Sequence, residues 1–245
     1  MDTQLHLAVD AAAAFRRVGD GVNPSIVSVA LLAELAGANA IAYDMRGPDR
    51  GEAEKDGKLL RACLTGTLDV VSSAGPDLMD IAFALRPDRI TLAPERREGG
   101  TGTGGIDAQM LKDALRRQVL LLKDAGMAVG VRVEPELEQC KALHRSEVDV
   151  AVLDSGAYLR ARSSQEKLTE LSRITDACHL ASKLGMRVAL AGDIDLVNIE
   201  NLARIPYVHE FHVGHACIAR GLLRGIEQSI LDFGQAVERG RRRSD

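Results

Sequence analysis

The stretch "DAQMLKDALRRQVLLLKDAGMAVGVRV" (residues 107–133) decides how this chain is read. Its first twenty residues place apolar side chains at helical spacing and end on Gly126, where a left-handed C-cap is wanted. The run that follows, "AVGVRV" (128–133), is short, apolar and β-branched, which is the pattern of a strand. A strand apolar on nearly every position belongs in a parallel sheet covered on both faces.

The same unit recurs on both sides. Strands are expected at "LHLAVD" (5–10), "AIAYDM" (40–45), "LDVVSS" (68–73), "RITLAP" (89–94), "VAVLDS" (150–155), "RVALAG" (187–192) and "EFHVGH" (210–215). Helical patterns lie between them, among them "PSIVSVALLAELAGA" (24–38) and "SQEKLTELSRITDACHLASKLG" (164–185). Eight strands alternating with helices predict an α/β fold, a single (β/α)₈ TIM barrel domain over residues 1–245. An open doubly wound sheet is the alternative, but no GxGxxG follows the first strand, so the dinucleotide version of that fold lacks its signature.

Composition narrows the function classes. A formal net charge of −4, from 31 basic and 35 acidic residues, argues against a nucleic-acid-binding surface. The single basic run, Arg239 to Arg243, is expected to be a flexible basic tail over residues 239–245. Cys63, Cys140, Cys178 and Cys217 contain no CxxC pair, which suggests reduced, mostly buried thiols. With no leader pattern and no apolar stretch near the ~20 residues that span a bilayer, the expectation is a cytoplasmic protein without membrane contact.

Barrel active sites lie at the C-terminal ends of the strands. Those ends read Asp10, Asp44, Ser72, Glu95, Glu134, Asp154, Asp193 and His215, and six of the eight are acidic. In "HVGHACIARGL" Gly214 permits close backbone approach, and the helix that follows favours a phosphate. The loop "PERREGGTGTGGID" (94–107) carries five glycines behind Arg96 and Arg97, suiting a lid with a second anion contact. His215 alone joins a strand end to a phosphate-type turn; His212 shares a strand face with Glu210 and Gly214. His6, His144, His179 and His209 are expected at the surface or an interface. Oxygen ligands in the acidic ring would suit a divalent cation, but no ligand spacing supports one, and no metal is expected.

The order "VDAAAAFRR", "AELAGANAI", "RPDRITLAPERRE", "TGTGGID", "LDSGAY", "ASKLGMRVALAGD", "IPYVHEFHVGHACIARGL" resembles the pyridoxine 5′-phosphate synthase family of (β/α)₈ enzymes across the whole chain. The resemblance implies condensation of an amino-ketone phosphate with a deoxypentulose phosphate, two phosphate sites, no metal or organic cofactor, and a homo-oligomer. It carries over Asp10, Arg46, Thr101, Gly214 and His215. Where the family has acid–base residues, this chain has Asp44 and Gly192 for histidines and Val71 for a glutamate. Ala8 and Ala11 stand in the first motif, Gly51 for a second histidine after the second strand, Asp193 for a phosphate-binding glycine and Gly19 for an arginine.

Three functions follow as expectations. The first is a diverged protein that binds or transforms a small phosphorylated metabolite, with Asp10, Asp44, Asp154 and Asp193 as acid–base or hydroxyl-binding groups and Arg46, Thr101, Gly214 and His215 holding an anion. The second keeps the synthase reaction with relocated acid–base groups. The third is a non-catalytic regulatory or assembly subunit.

Overall fold

The structure is a computed structural model that describes residues 3–18, 23–46, 50–95 and 104–243. Its strands are β1 (Gln4–Ala8), β2 (Ala40–Asp44), β3 (Thr67–Ser72), β4 (Arg89–Leu92), β5 (Ala128–Val133), β6 (Val150–Asp154), β7 (Arg187–Ala191) and β8 (Glu210–Val213). The helices are α1 (Asp10–Val18), α2 (Ile26–Leu35), α3 (Arg50–Cys63), α4 (Leu78–Leu85), α5 (Lys112–Asp124), α6 (Leu137–Arg145), α7 (Gly156–Arg160), α8 (Ser164–Lys183), α9 (Ile199–Ala203), α10 (His215–Arg224) and α11 (Ile226–Arg242). All strand pairs are parallel and run in chain order, and β1 pairs with β8 to close the barrel. Closure removes the open-sheet alternative.

Strand alternation divides the core. Outward residues such as Leu5, Leu7, Ile41, Val70, Ile90, Leu92, Val129, Val131, Leu190 and Phe211 are buried beneath the helices in one continuous cluster. Each such side chain contributes about 1.5–3 kcal/mol by leaving water. Inward residues of β6 and β7, namely Val150, Val152, Ala189 and Ala191, form a second, separate apolar cluster inside the barrel. Helix ends follow the local signals: Gly37, Gly126 and Gly185 take φ of +104°, +86° and +86°, and α8 starts on a capping box of Ser163 and Glu166.

The rest of the barrel interior is polar at its N-terminal end. Arg89 donates from Nη1 to Glu210 Oε2 at 2.7 Å and from Nε and Nη2 to Asp69 Oδ2 at 2.8 and 2.6 Å. These bonds join β4 to β3 and, across the barrel, to β8. Thr91 donates to both oxygens of Asp69 at 2.9 Å, and Arg187 donates to Glu210 Oε1 at 3.0 Å. His6 and His212 stack with ring centroids 4.8 Å apart, and His6 Nδ1 lies 2.8 Å from Arg89 Nη2. Two carboxylates thus meet two guanidiniums, with the imidazoles between them.

Three expectations are corrected here. His6 is not a surface residue; at 2% exposure it lies in this floor, because its place between Leu5 and Leu7 points it inward. Arg239 to Arg242 do not form a flexible tail but complete α11. Arg239 Nε meets Glu200 Oε1 at 2.6 Å, and Arg241 donates to the carbonyls of Ile205 and Val208, so the basic run binds acceptors around α9 and the loop after it. Several strands stop one or two residues short of the expected ends, since their last residues turn into the loops: Asp10 opens α1 and His215 opens α10. Cys140, Cys178 and Cys217 are buried and all four cysteines are free; burial pushes the Cys140 and Cys217 thiols up to about 11. No helix among the described residues is long and apolar enough to cross a membrane.

Candidate active site

The C-terminal mouth holds two acid–arginine groups on opposite sides of the ring. On the first side, Asp10 lies in the opening turn of α1, where the helix dipole favours an acid. Its Oδ1 accepts the backbone N–H of Asp44 at 2.7 Å. Asp44 Oδ1 accepts from Arg46 N and Nε at 2.9 and 2.8 Å, and Oδ2 from Arg46 Nη2 at 2.6 Å. Arg46 Nη1 then donates to the Pro94 carbonyl at 2.6 Å, which ties the end of β2 to the segment after β4. The Asp44 and Arg46 side chains are only 9% and 5% exposed, so this fork-shaped pair is largely desolvated.

On the second side Asp154 is saturated with donors. Its Oδ2 takes Arg132 Nε at 2.9 Å, Arg132 Nη2 at 2.5 Å and the Gly104 N–H at 3.0 Å, while Oδ1 takes the Gly156 N–H at 2.7 Å. Glu134 stands beside it at the end of β5. Burial, and then the charge of Asp154, push its carboxyl above the ordinary range, against a hydrogen bond from the Gly105 backbone. A group so raised can exchange protons nearer neutral pH than an ordinary carboxyl. The segment 104–106 is docked on this side: Ile106 N donates to Arg132 O at 2.7 Å, and a Cβ on Gly105 would overlap the backbone of Val133 and Glu134.

Between these sides, β8 turns into α10 at Gly214. Any Cβ there would press on Ala8 at 3.3 Å, and α10 begins without a side-chain cap. His215, its first residue, is exposed. Asp193 is exposed as well, at φ +46° directly after Gly192 at φ +101°, so it sits on the rim. A cleft of about 210 Å³ opens between the ends of β2, β3 and β4, lined by Arg46, Arg50, Ser72, Ser73, Asp77 and Glu95 among others.

The structure therefore gathers Asp10, Asp44 and Arg46 into one group, sets Asp154 in another, and leaves Asp193, Gly214 and His215 around the remaining rim. Thr101, together with Arg96, Arg97 and Gly19, lies outside the described residues. Sequence reasoning missed Arg132 and the pairing that makes Glu134 distinctive. The signal was present: "AVGVRV" is apolar except for an arginine two positions before the strand-end acid, on the same inward face. His6, Glu210 and His212 converge within 4.8 Å in the floor, a donor set that suits a transition metal, but Arg89 already occupies the space between them as a cation.

A family model described as "Pyridoxal phosphate biosynthesis protein PdxJ" matches residues 5–239. This chain belongs to the PdxJ family. Among relatives of this PdxJ-family chain, a "Pyridoxine 5'-phosphate synthase" of Geotalea uraniireducens is 31% identical over 96% of this chain and 98% of its own length. The protein of the same name from Syntrophotalea carbinolica is 33% identical over 95% and 98%. Among solved structures, KGPDC from Streptococcus mutans superposes with a TM-score of 0.61 at 13% identity, covering 98% of this chain and 99% of that one. Phosphoribosyl anthranilate isomerase from Thermotoga maritima superposes with a TM-score of 0.61 at 12% identity, covering 96% and 98%. At such identities these two structural neighbours establish the barrel fold alone.

Proposed function

We propose that this PdxJ-family barrel binds and acts on a small phosphorylated metabolite at its mouth, with acid–base groups that differ from those the family resemblance implies. The observation that carries the proposal is the start of α10 behind Gly214, which among the described residues has no side-chain cap, so that its free N–H groups suit an anion. The phosphorylated product in the relatives' names, at 31% and 33% identity along nearly the whole chain, supports it.

In this proposal Gly214 and His215 receive the phosphate, Arg46 and Thr101 contact the rest of the ligand, and no metal or organic cofactor takes part. Asp44 and Asp154 hold arginines in place, and Asp44 also accepts a ligand hydroxyl. Glu134, Asp10 and Asp193 are the acids left for proton transfer, with Glu134 best suited near neutral pH because its carboxyl is raised. Self-association belongs to the same proposal: Leu32 and Leu35 on α2 and Leu222 and Leu223 on α10 are exposed. Light scattering on the purified chain checks it, and a strictly monomeric mass counts against it.

Mass spectrometry of small molecules that co-purify with the chain tests the metabolite directly. In parallel, Ala216→Asp puts a carboxylate at the start of α10, and phosphate affinity is expected to fall at least about tenfold by calorimetry, the equivalent of roughly 1.4 kcal/mol. Unchanged phosphate affinity in that variant removes the basis of the proposal. A second function, the synthase reaction itself, is favoured by the relatives' shared name. Absence of pyridoxine 5′-phosphate from both synthase substrates at high protein concentration excludes it.

A further inference from the structure

Among the inward residues of the floor, His212 differs from its neighbours in what reaches it. Glu210 on the same strand and His6 on β1 are each 2% exposed, whereas the His212 side chain is 12% exposed. β8 runs from the floor to the mouth, so the next inward residue above His212 is Gly214. Gly214 packs on Ala8, which stands above His6 on β1, and Ala191 ends β7 alongside. Nothing larger than a methyl group on these three residues covers the ring, and its exposed part opens toward the mouth.

Counting hydrogens fixes which ring nitrogen is bare. Arg89 Nη2 carries two hydrogens; one goes to Asp69 Oδ2 at 2.6 Å and the other to His6 Nδ1 at 2.8 Å. None is left for His212 Nε2, 3.4 Å away, so Nε2 keeps its own proton and donates it to Glu210 Oε2 at 3.3 Å. His6 accepts at Nδ1 and so carries its proton on Nε2, 3.4 Å from Gln4 Oε1. His212 Nδ1 is left with a lone pair and makes no bond to a described residue. Burial raises the Glu210 carboxyl, but the His212 bond and the Arg89 charge outweigh it and hold the group well below the ordinary range, so it stays ionised. The other charged or titratable groups around the ring are His6, Asp69 on β3, Arg89 on β4 and Arg187 on β7, with Arg132 and Asp154 paired nearer the mouth.

The geometry points to His212 as a catalytic acid–base group of this chain, acting through Nδ1 on the part of the ligand that hangs into the barrel, with Glu210 as its positioning residue. The assignment rests on the proposed phosphate contact at Gly214 and His215, and extends it by placing the reacting atoms below that phosphate. Gly214 lies two strand residues from His212, roughly 7 Å at ~3.3 Å per residue, so a carbon a few bonds from the phosphate comes level with the ring. Nδ1 takes a proton from a ligand hydroxyl or from a carbon beside a carbonyl; the bonding electrons stay on the ligand, and the new positive charge on the ring faces Glu210. Return of the proton to the ligand restores the neutral ring and consumes no other reactant.

The test uses the full-length chain in D2O with dihydroxyacetone phosphate, a small phosphorylated ketone, and proton NMR follows exchange of the hydrogens beside its carbonyl. The wild-type chain is expected to exchange them at a rate that rises with pH as the imidazole loses its proton. His212→Asn is expected to slow exchange at least about a hundredfold, with its affinity for inorganic phosphate unchanged by calorimetry. Glu210→Gln keeps an acceptor but removes the charge, and is expected to move the midpoint of the pH profile downward; an unmoved midpoint overturns the role of Glu210. Imidazole nitrogen NMR of the wild-type chain needs no variant: a neutral His212 protonated on Nδ1 overturns the inference. Equal exchange in folded His212→Asn overturns it too, as does a wild-type chain that binds phosphate and exchanges nothing, and both leave the phosphate contact standing. Exchange that depends on His212 without phosphate binding overturns the phosphate contact and keeps the histidine. Neither binding nor exchange at millimolar concentration overturns both.

Discussion

Asp44 and Asp154 stand at the same level of the barrel, yet each is tied down by different chemistry. Asp44 grips an arginine two residues along its own chain, whereas Asp154 draws Arg132 from the neighbouring strand and two backbone N–H groups besides. Replacing Asp154 with Asn removes the carboxylate that Arg132 Nε and Nη2 meet, in a pair whose side chains are 14% and 1% exposed. The expected cost is about 3 kcal/mol, read from urea denaturation, because the charge-assisted bonds of a buried pair are lost. The same variant removes the negative neighbour of Glu134, so the Glu134 carboxyl is expected to titrate lower; carboxyl carbon NMR follows it. Since burial is the larger cause of the raised value, the shift should be incomplete.

At the scale of elements, the informative piece is the end of the glycine-rich loop. Gly104 and Gly105 rest on β5 and β6 through hydrogen bonds to Asp154 and, at Ile106, to the Arg132 carbonyl. Gly105→Ala has no room beside Val133 and Glu134 and must lift this segment. Hydrogen exchange at the Ile106 amide is expected to quicken, and unchanged protection shows that the strand end gave way instead. Strands and helices were legible in the sequence because a doubly covered sheet writes each strand as an apolar run and each helix as a 3.6-residue period. Their last residues were not, because Asp10 and His215 continue the apolar pattern's end while their backbones already belong to the next helix.

The whole molecule is held at its N-terminal end by contacts that no local pattern reveals. Arg89 and Glu210 are 121 residues apart, and only barrel closure brings His6 of β1 against Arg89 of β4. The acidic ring and Arg46 were legible in the sequence; the pairing of Arg132 with Asp154 of the next strand was visible only in space. Arg89→Met leaves Asp69 and Glu210 short of their shared cation, with an expected loss of about 3–5 kcal/mol and a melting temperature lower by roughly 10 °C. Acid should weaken the same region. Burial, the neighbouring His212 and the Arg89 charge hold the His6 imidazole well below 6.5, so the unfolded chain binds the extra proton first. Stability is therefore expected to be full above about pH 6.5 and to decline as pH falls from there toward the folded-state value. The chain with His6→Gln should lose part of that slope in a pH series of thermal melts.

The floor residues Asp69, Arg89, Glu210 and His6 are distinct from every acid and arginine named at the mouth. Since the Arg89 network lies at one end of the barrel and the proposed proton-transfer acids at the other, a library randomised at Glu134 and Asp193 should yield mostly folded proteins. A library of the same size at the floor should not. Such a division makes the barrel a tolerant starting point for laboratory evolution, in which new chemistry is sampled without first repairing the scaffold.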